Sequence, residues 1–175
     1  IGEREIRLLS ENGISNPMLF QVSKKNELKE HEPNDRIQQV NQLIPIPALM
    51  NGQIMPGEVD ILQFKGEKDQ KLVIKTQARS LIPYLADAVP GWFQAVLTLY
   101  DDKGNEIAFV DDNKFDPDPI MYFNVPKTAD YFLEIRDAIN RGREDFIYRL
   151  SLEYQSAINN EKNITSENNG LNSFQ

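Results

Sequence analysis

The chain has 175 residues, 40% of them hydrophobic, which is enough for one domain with an apolar core. Asp and Glu outnumber Lys and Arg 27 to 19, and the net charge of −8 argues against nucleic acid as a partner. The absence of Cys excludes disulfides and thiolate chemistry, and no apolar run approaches the roughly 20 residues that span a bilayer. Because the chain begins with Ile1 rather than Met, we interpret it as a piece of a longer protein.

Residues 1–24 hold two short predicted strands, Arg4–Leu9 and Met18–Ser23, separated by a turn-rich segment. Two strands alone are not stable in water, so we expect them to pack on another part of the protein. The segment resembles the last hairpin of an immunoglobulin-like domain of the IPT/TIG kind, in the stretches Gly2-Glu3-Arg4-Glu5-Ile6-Arg7, Asn12-Gly13, Ser15-Asn16-Pro17 and Phe20-Gln21-Val22. We therefore predict that residues 1–24 are the end of such a preceding domain or an N-terminal extension.

Residues 25–155 carry the alternation of side chains that is typical of β-strands. In Phe146–Tyr154 every second residue is a large apolar one, and Tyr131–Arg136 repeats the pattern. Shorter alternating runs occupy Gln70–Gln77 and Ala95–Tyr100. Turn sequences separate the runs, at Asn51-Gly52, Pro56-Gly57, Asp101-Asp102-Lys103-Gly104, Asp116-Pro117-Asp118-Pro119 and Asn140-Arg141-Gly142. Short strands at this spacing predict an all-β fold, an antiparallel β-sandwich.

Two segments depart from this pattern. Ser80–Phe93 is interrupted by two prolines and a glycine, and we predict a long loop with room for one helical turn. Residues 156–175 are rich in Asn, Ser, Lys and Glu and have little to bury, which predicts a disordered linker or tail.

The segment Glu30-His31-Glu32-Pro33-Asn34-Asp35 concentrates oxygen-bearing side chains around a proline. Calcium takes six to eight oxygen ligands at about 2.3–2.6 Å, so several ligands from adjacent residues require a chain that bends, and Pro33 with the Asn34-Asp35 turn supplies the bend. Asp60 shares the strand parity of Leu62 and Phe64, which places its carboxylate on the core side, where an unpaired charge is costly. One interpretation is therefore a calcium site formed by Glu30, Glu32, Asn34, Asp35 and Asp60.

A second interpretation of the same residues needs no ion. Asn34 or Asp35 would cap a short helical turn at Arg36–Gln39, with Gln38 completing a capping box. Asp60 would then be satisfied by hydrogen bonds alone. The sequence leaves both interpretations open.

Other candidate residues have structural explanations of their own. His31, the only histidine, belongs to no recognisable nucleophile or metalloprotease motif, so we expect no catalytic centre. Trp92 is either a buried lid of the sandwich or, with Tyr84, a ligand-binding pair that stacks on a sugar or a peptide. A second group of acids suits a rigid solvated turn better than a second cation site: Asp111, Asp112, Asp116 and Asp118.

From Glu30 to Glu153 the chain resembles the bacterial pre-peptidase C-terminal domain. The matching stretches are Glu32-Pro33-Asn34-Asp35, Asn51-Gly52, Pro56-Gly57-Glu58-Val59-Asp60, Leu97-Thr98-Leu99-Tyr100-Asp101 with Gly104, Asp130-Tyr131-Phe132-Leu133-Glu134-Ile135, and Tyr148-Arg149-Leu150. The calcium-binding collagen-recognition domains of clostridial collagenases look like distant relatives. Their Glu-x-Glu-x-Asn-Asp ligand segment is matched by Glu30, Glu32, Asn34 and Asp35, and a later acid of theirs by Asp60.

This resemblance implies a jelly-roll-like sandwich, export to the extracellular space or periplasm, and a non-catalytic role in secretion, targeting or substrate attachment. We therefore expect a monomeric accessory module that binds or positions a protein or polysaccharide for its parent and contacts neighbouring domains of the parent chain. The alternatives are a structural spacer without a ligand and a carbohydrate-binding module that uses Trp92 and Tyr84.

Overall fold

The computed structural model describes residues 1–82 and 91–156 of the chain. Short 3₁₀ turns at Ile37–Gln39 and Arg79–Leu81 accompany the strands. The strands are β1 (Gly2–Ile6), β2 (Leu9–Ser10), β3 (Gly13–Ile14), β4 (Met18–Val22), β5 (Glu27–Lys29), β6 (Leu43–Ile44), β7 (Ala48–Gln53), β8 (Asp60–Gly66), β9 (Lys71–Gln77), β10 (Ala95–Tyr100), β11 (Glu106–Val110), β12 (Ile120–Asn124), β13 (Ala129–Asp137) and β14 (Ile147–Tyr154).

Two five-stranded sheets enclose the core. One has the strand order β11-β10-β13-β8-β6 and the other β12-β9-β14-β7-β5. The all-β sandwich predicted from the sequence is confirmed, and its central strand pairs are antiparallel. The edge strands β5 and β6 differ, because they pair in parallel with β7 and β8. A parallel pair needs a crossover connection, and here the chain visits the opposite sheet between the two paired strands.

The core follows from the alternation seen in the sequence. Tyr148, Leu150 and Leu152 of β14 face inward, and in β13 Tyr131, Leu133 and Ile135 do the same. Burying one such side chain contributes about 1.5–3 kcal/mol relative to leaving it in water. The regular period of these strands therefore supplies a continuous apolar face to the core between the two sheets.

The N-terminal hairpin pairs β1 with β4, from Gly2 opposite Val22 to Ile6 opposite Met18. Its large apolar side chains are exposed, including Met18, Phe20 and Ile6. The predicted strand Met18–Ser23 matches β4, whereas the predicted strand Arg4–Leu9 is divided, because β1 ends at Ile6 and Leu9 begins β2. The assignment of residues 1–24 to a preceding domain stays a prediction.

The segment between β5 and β6 crosses from one sheet to the other. It leaves β5 at Glu30 and passes the start of β8, where Ile61 N donates a hydrogen bond to Asn34 O at 3.0 Å. This crossing brings the acid-rich segment and the start of β8 to the same end of the sandwich.

The 3₁₀ turn Arg79–Leu81 agrees with the predicted helical turn, whereas residues 83–90 and the predicted tail at 157–175 lie outside the described residues. Within the described ranges no helix has the length and apolar character needed to cross a membrane.

Candidate metal centre

Glu30 follows the edge strand β5 and keeps the parity of Leu28, which packs against the core. Its backbone N donates to Asn51 O at 3.2 Å, which extends the pairing with β7 by one residue, and its side chain is 8% exposed. Two donors hold the carboxylate, since Gln53 N donates to Oε1 at 2.8 Å and the Tyr148 hydroxyl donates to Oε2 at 2.7 Å. The Glu30 carboxylate is therefore fixed in one orientation.

Asp60 begins β8 and lies opposite Ile135 of β13. Its side chain faces the core, as strand parity indicates, and is 0% exposed. Among the residues that the structure describes, neither of its carboxylate oxygens has a hydrogen-bond partner. An ionised carboxylate in this state costs several kcal/mol, so Asp60 needs a cation or a proton.

Glu30, Glu32 and Asp60 each offer one carboxylate oxygen to a compact cluster. These oxygens lie within 4.8 Å of one another. Two ligands of one calcium ion, each about 2.4 Å from it, lie at most about 4.8 Å apart, so this geometry fits a single ion. The set contains only oxygen, the ligand type that hard cations such as calcium prefer, and Glu32 is exposed and opens the cluster to solvent.

The Asn34 side chain lies against Glu32, with one amide atom 2.9 Å and 3.1 Å from the two carboxylate oxygens. If this atom is the amide nitrogen, it donates hydrogen bonds to Glu32. If it is the carbonyl oxygen, the three oxygens repel one another unless they share a cation. Asp35 is not part of the carboxylate group, and its Oδ1 accepts a long hydrogen bond of 3.4 Å from Val59 N.

The capping interpretation is wrong for this segment. The N-cap of the 3₁₀ turn is Arg36, and no side chain caps it by a hydrogen bond. Asn34 and Asp35 instead hold the start of β8, through Ile61 N and Val59 N. The turn is a consequence of the crossing between the sheets rather than of a capping box.

The electrostatics of the cluster reflect excess negative charge. Burial, followed by the adjacent Glu30 carboxyl and the charge of Glu32, raises the pKa of Asp60 from 3.8 to about 10, against an opposing effect of the nearby Tyr148 hydroxyl. The pKa of Glu32 is also raised, by partial burial and by the carboxylates of Glu30, Glu58 and Asp35, against the opposing hydrogen bond from Asn34 N. Without a cation, the folded protein therefore keeps a proton in this cluster at neutral pH.

Other buried aspartates show what a structural carboxylate in this fold looks like. Asp137, also 0% exposed, forms an ion pair with Arg141 at 2.9 Å and accepts backbone hydrogen bonds from Gln94 and Ile139. Burial alone would raise the pKa of Asp137, but the Arg141 guanidinium and these donors hold it below its ordinary value. Asp118 accepts three backbone hydrogen bonds, from residues 78–80. Asp60 has no comparable donors, which distinguishes it from both.

The second acidic group forms a turn. Asn113 and Asp116 exchange backbone hydrogen bonds of 2.8 Å and 3.1 Å, and Asp116 Oδ1 accepts from Asp118 N at 3.0 Å. The turn agrees with the predicted rigid turn, but Asp118 is buried and occupied by backbone donors rather than solvated.

Trp92 is half-buried, and the Arg79 guanidinium lies 5.0 Å from the centroid of its ring. One face of the indole is therefore covered by a cation–π contact rather than open to a ligand. Tyr84, its predicted ligand-binding neighbour, lies outside the described residues.

The sequence did not reveal the roles of Tyr148 and Gly52, which lie on two neighbouring strands. Tyr148 donates a hydrogen bond to Glu30, and Gly52 leaves the space that this contact needs. Tyr148 is fully buried, and its pKa is raised well above 10 by burial and by the carboxylates of Asp60 and Glu30, so its hydroxyl keeps its proton. Gly52 lies directly opposite Tyr148. Alternation placed Tyr148 in the core, but only the strand register shows that it meets Glu30.

An open recess of about 770 Å³ borders the cluster. Its walls include Glu30, Glu32, His31, Gln53 and Glu58. A ligand in this recess would contact the acidic segment directly, and the acids favour a cationic group there.

No protein-family model matches this chain, and no curated protein matches it. Among solved structures it is similar to the pre-peptidase C-terminal domain of collagenase from Bacillus anthracis, with 15% identity and a TM-score of 0.46 over 75% of this chain and 100% of that one. It is also similar to the periplasmic inhibitor of g-type lysozyme, PliG, from Aeromonas hydrophila, with 10% identity and a TM-score of 0.43 over 65% of this chain and 94% of that one. PliG from Salmonella Typhimurium gives 15% identity and a TM-score of 0.40 over 77% of this chain and 100% of that one.

Proposed function

We propose that this chain is a non-catalytic accessory module of an exported protein, and that a calcium ion held by Glu30, Glu32 and Asp60 fixes one end of its sandwich. The observation that carries the calcium proposal is the Asp60 carboxylate, which is fully buried, lacks a hydrogen-bond partner among the described residues and faces two further carboxylates. Asn34 would add an amide oxygen only with that oxygen, rather than the amide nitrogen, facing Glu32.

The ion would connect the two sheets. Glu30 follows an edge strand of one sheet and Asp60 begins a strand of the other, so both sheets would contribute ligands to one cation. A ligand present at 100 times its dissociation constant stabilises the folded state by about 2.7 kcal/mol. Extracellular modules bind calcium with dissociation constants of about 10⁻⁴–10⁻³ M, so millimolar calcium would load such a site in an exported chain.

The accessory role follows from the sequence resemblance to the pre-peptidase C-terminal domain. Two surface features offer contact area for a protein or polysaccharide: the recess beside the cluster and a groove of about 560 Å³. The groove lies between the N-terminal hairpin and the β7–β14 sheet and includes Met18, Phe20 and Ile147. Both are open concave surfaces, which suits the binding of an extended polymer.

Residues 1–24 fit the end of a preceding immunoglobulin-like domain in the parent chain. A two-stranded hairpin is not stable alone, and the exposed Ile6, Met18 and Phe20 offer an apolar surface to further strands. The module would then follow another β-domain in a longer chain.

The calcium proposal is tested by thermal melting of the chain in millimolar calcium and in chelator. We expect calcium to raise the melting temperature of the wild type, and Asp60→Ala or Glu32→Ala to abolish the rise. Asp130→Ala, which removes an exposed acid of β13, is the matched control and should retain it. Identical wild-type melts in calcium and in chelator would refute the proposed site.

The binding role is tested with immobilised collagen, cellulose, chitin and peptidoglycan as probes. We expect the wild type to be retained on at least one of them in calcium, and less so in chelator. Retention on none of these polymers in either condition would favour a spacer without a ligand.

A further inference from the structure

We propose that Tyr148 is a positioning residue for the calcium site, and that Gly52 provides the space through which it acts. The inference rests on the proposed calcium ion. It explains how the protein orients the Glu30 carboxylate before the ion binds. Tyr148 lies on β14, Gly52 on β7, and Glu30 directly after β5, and these three strands are neighbours in one sheet.

The tyrosine ring reaches Glu30 by passing over Gly52. The register places Tyr148 opposite Gly52, and a Cβ at position 52 would overlap with the hydroxyl end of the Tyr148 ring and with Glu30 Oε2. Gly52 has no positive φ that would require glycine. Close approach of the ring and the carboxylate is therefore the reason that position 52 lacks a side chain.

The Tyr148 hydroxyl fixes the orientation of the Glu30 carboxylate. It donates to Oε2 at 2.7 Å while Gln53 N donates to Oε1 at 2.8 Å, so Glu30 cannot rotate toward the recess without losing both. Each oxygen keeps a free lone pair for a cation. Donors of this kind behind a metal ligand change metal affinity by about 10- to 100-fold.

The chain contains a matched control tyrosine. Tyr131 is also fully buried, and its hydroxyl donates to the backbone oxygen of Lys127 at 2.8 Å. It lies opposite Phe64, four residues along β8 from Asp60, and its hydroxyl donates to the backbone rather than to a carboxylate. Tyr131→Phe and Tyr148→Phe thus each remove the hydroxyl hydrogen bond of a buried tyrosine, one to the backbone away from the cluster and one to a carboxylate at it.

The experiment is a calcium titration by calorimetry of the wild type and both phenylalanine variants, with the near-ultraviolet tyrosine difference spectrum recorded on calcium addition. We expect Tyr148→Phe to weaken calcium binding by about 10- to 100-fold and to lose the difference signal. Tyr131→Phe should keep the wild-type dissociation constant and signal, although both variants lose stability in chelator. If Tyr148 had a purely structural role, Tyr148→Phe would change the stability of the protein but not its calcium affinity.

The outcomes separate the two proposals. A wild type that binds no calcium refutes the calcium site. A wild type that binds, with Tyr148→Phe binding equally well, overturns the positioning role and leaves the site intact. If Tyr148→Phe does not fold, Gly52→Ala replaces it, with Gly66→Ala as control, because a Cβ at Gly66 meets Tyr131 instead. Equal calcium affinity in the two alanine variants would then overturn the role.

Discussion

Replacing Asp60 with Asn should remove a pH dependence of stability that the acidic cluster creates in the absence of calcium. The pKa of Asp60 is raised from 3.8 to about 10, so between these values the folded protein holds one proton that the unfolded protein releases. The free energy of unfolding then falls by about 1.4 kcal/mol for each pH unit, or about 2.7 kcal/mol from pH 6 to pH 8. This contribution is fully present below pH 3.8 and is lost as the pH rises toward 10.

The assay is urea unfolding at pH 6, 7 and 8 in chelator. The wild type should lose about 2.7 kcal/mol more than Asp60→Asn over this range, and saturating calcium should remove most of the difference because the ion keeps Asp60 ionised. Asp130→Asn, at an exposed position, should keep the wild-type slope. Equal slopes for the wild type and Asp60→Asn would refute the assignment of the buried proton to this cluster.

Three further changes test other parts of the structure. Asp137→Asn should lower the free energy of unfolding by about 3 kcal/mol, because it breaks a buried ion pair with Arg141, and a loss well under 1 kcal/mol in urea would contradict this. Since the pKa of Asp137 is lowered, the wild-type advantage should be present above pH 3.8 and disappear as the pH falls through the folded pKa. Gly142→Ala should destabilise by about 1–3 kcal/mol, because a Cβ there overlaps with the backbone of Met55, and an unchanged melting temperature would count against it. Trp92→Ala should leave retention on the polymers unchanged because Arg79 covers one face of the half-buried ring, whereas loss of retention would support the carbohydrate-binding alternative.

Local periodicity was sufficient to predict the sandwich and part of the candidate site. Alternation within β14 and β8 identifies the inward faces of these strands, and the same rule places the Asp60 side chain on the core side. These features depend only on neighbours in sequence, so a single sequence contains them.

The remaining features depend on contacts between distant residues. Tyr148 meets Glu30 across 118 positions because β14, β7 and β5 are adjacent, and no local pattern encodes that order. The parallel edge strands likewise follow from the path of the chain between sheets. The capping box predicted from Asp35 and Gln38 is wrong, because the Asp35 side chain accepts a hydrogen bond from Val59 N next to β8 instead of capping the 3₁₀ turn.

A crystal structure of the chain grown with calcium tests the central claim most directly, through the anomalous difference map at the end of the sandwich. We predict one strong peak among Glu30, Glu32 and Asp60, with carboxylate oxygens at about 2.3–2.6 Å from it. A map without a peak there, with Asp60 hydrogen-bonded to Glu30 through a shared proton, would contradict the calcium site.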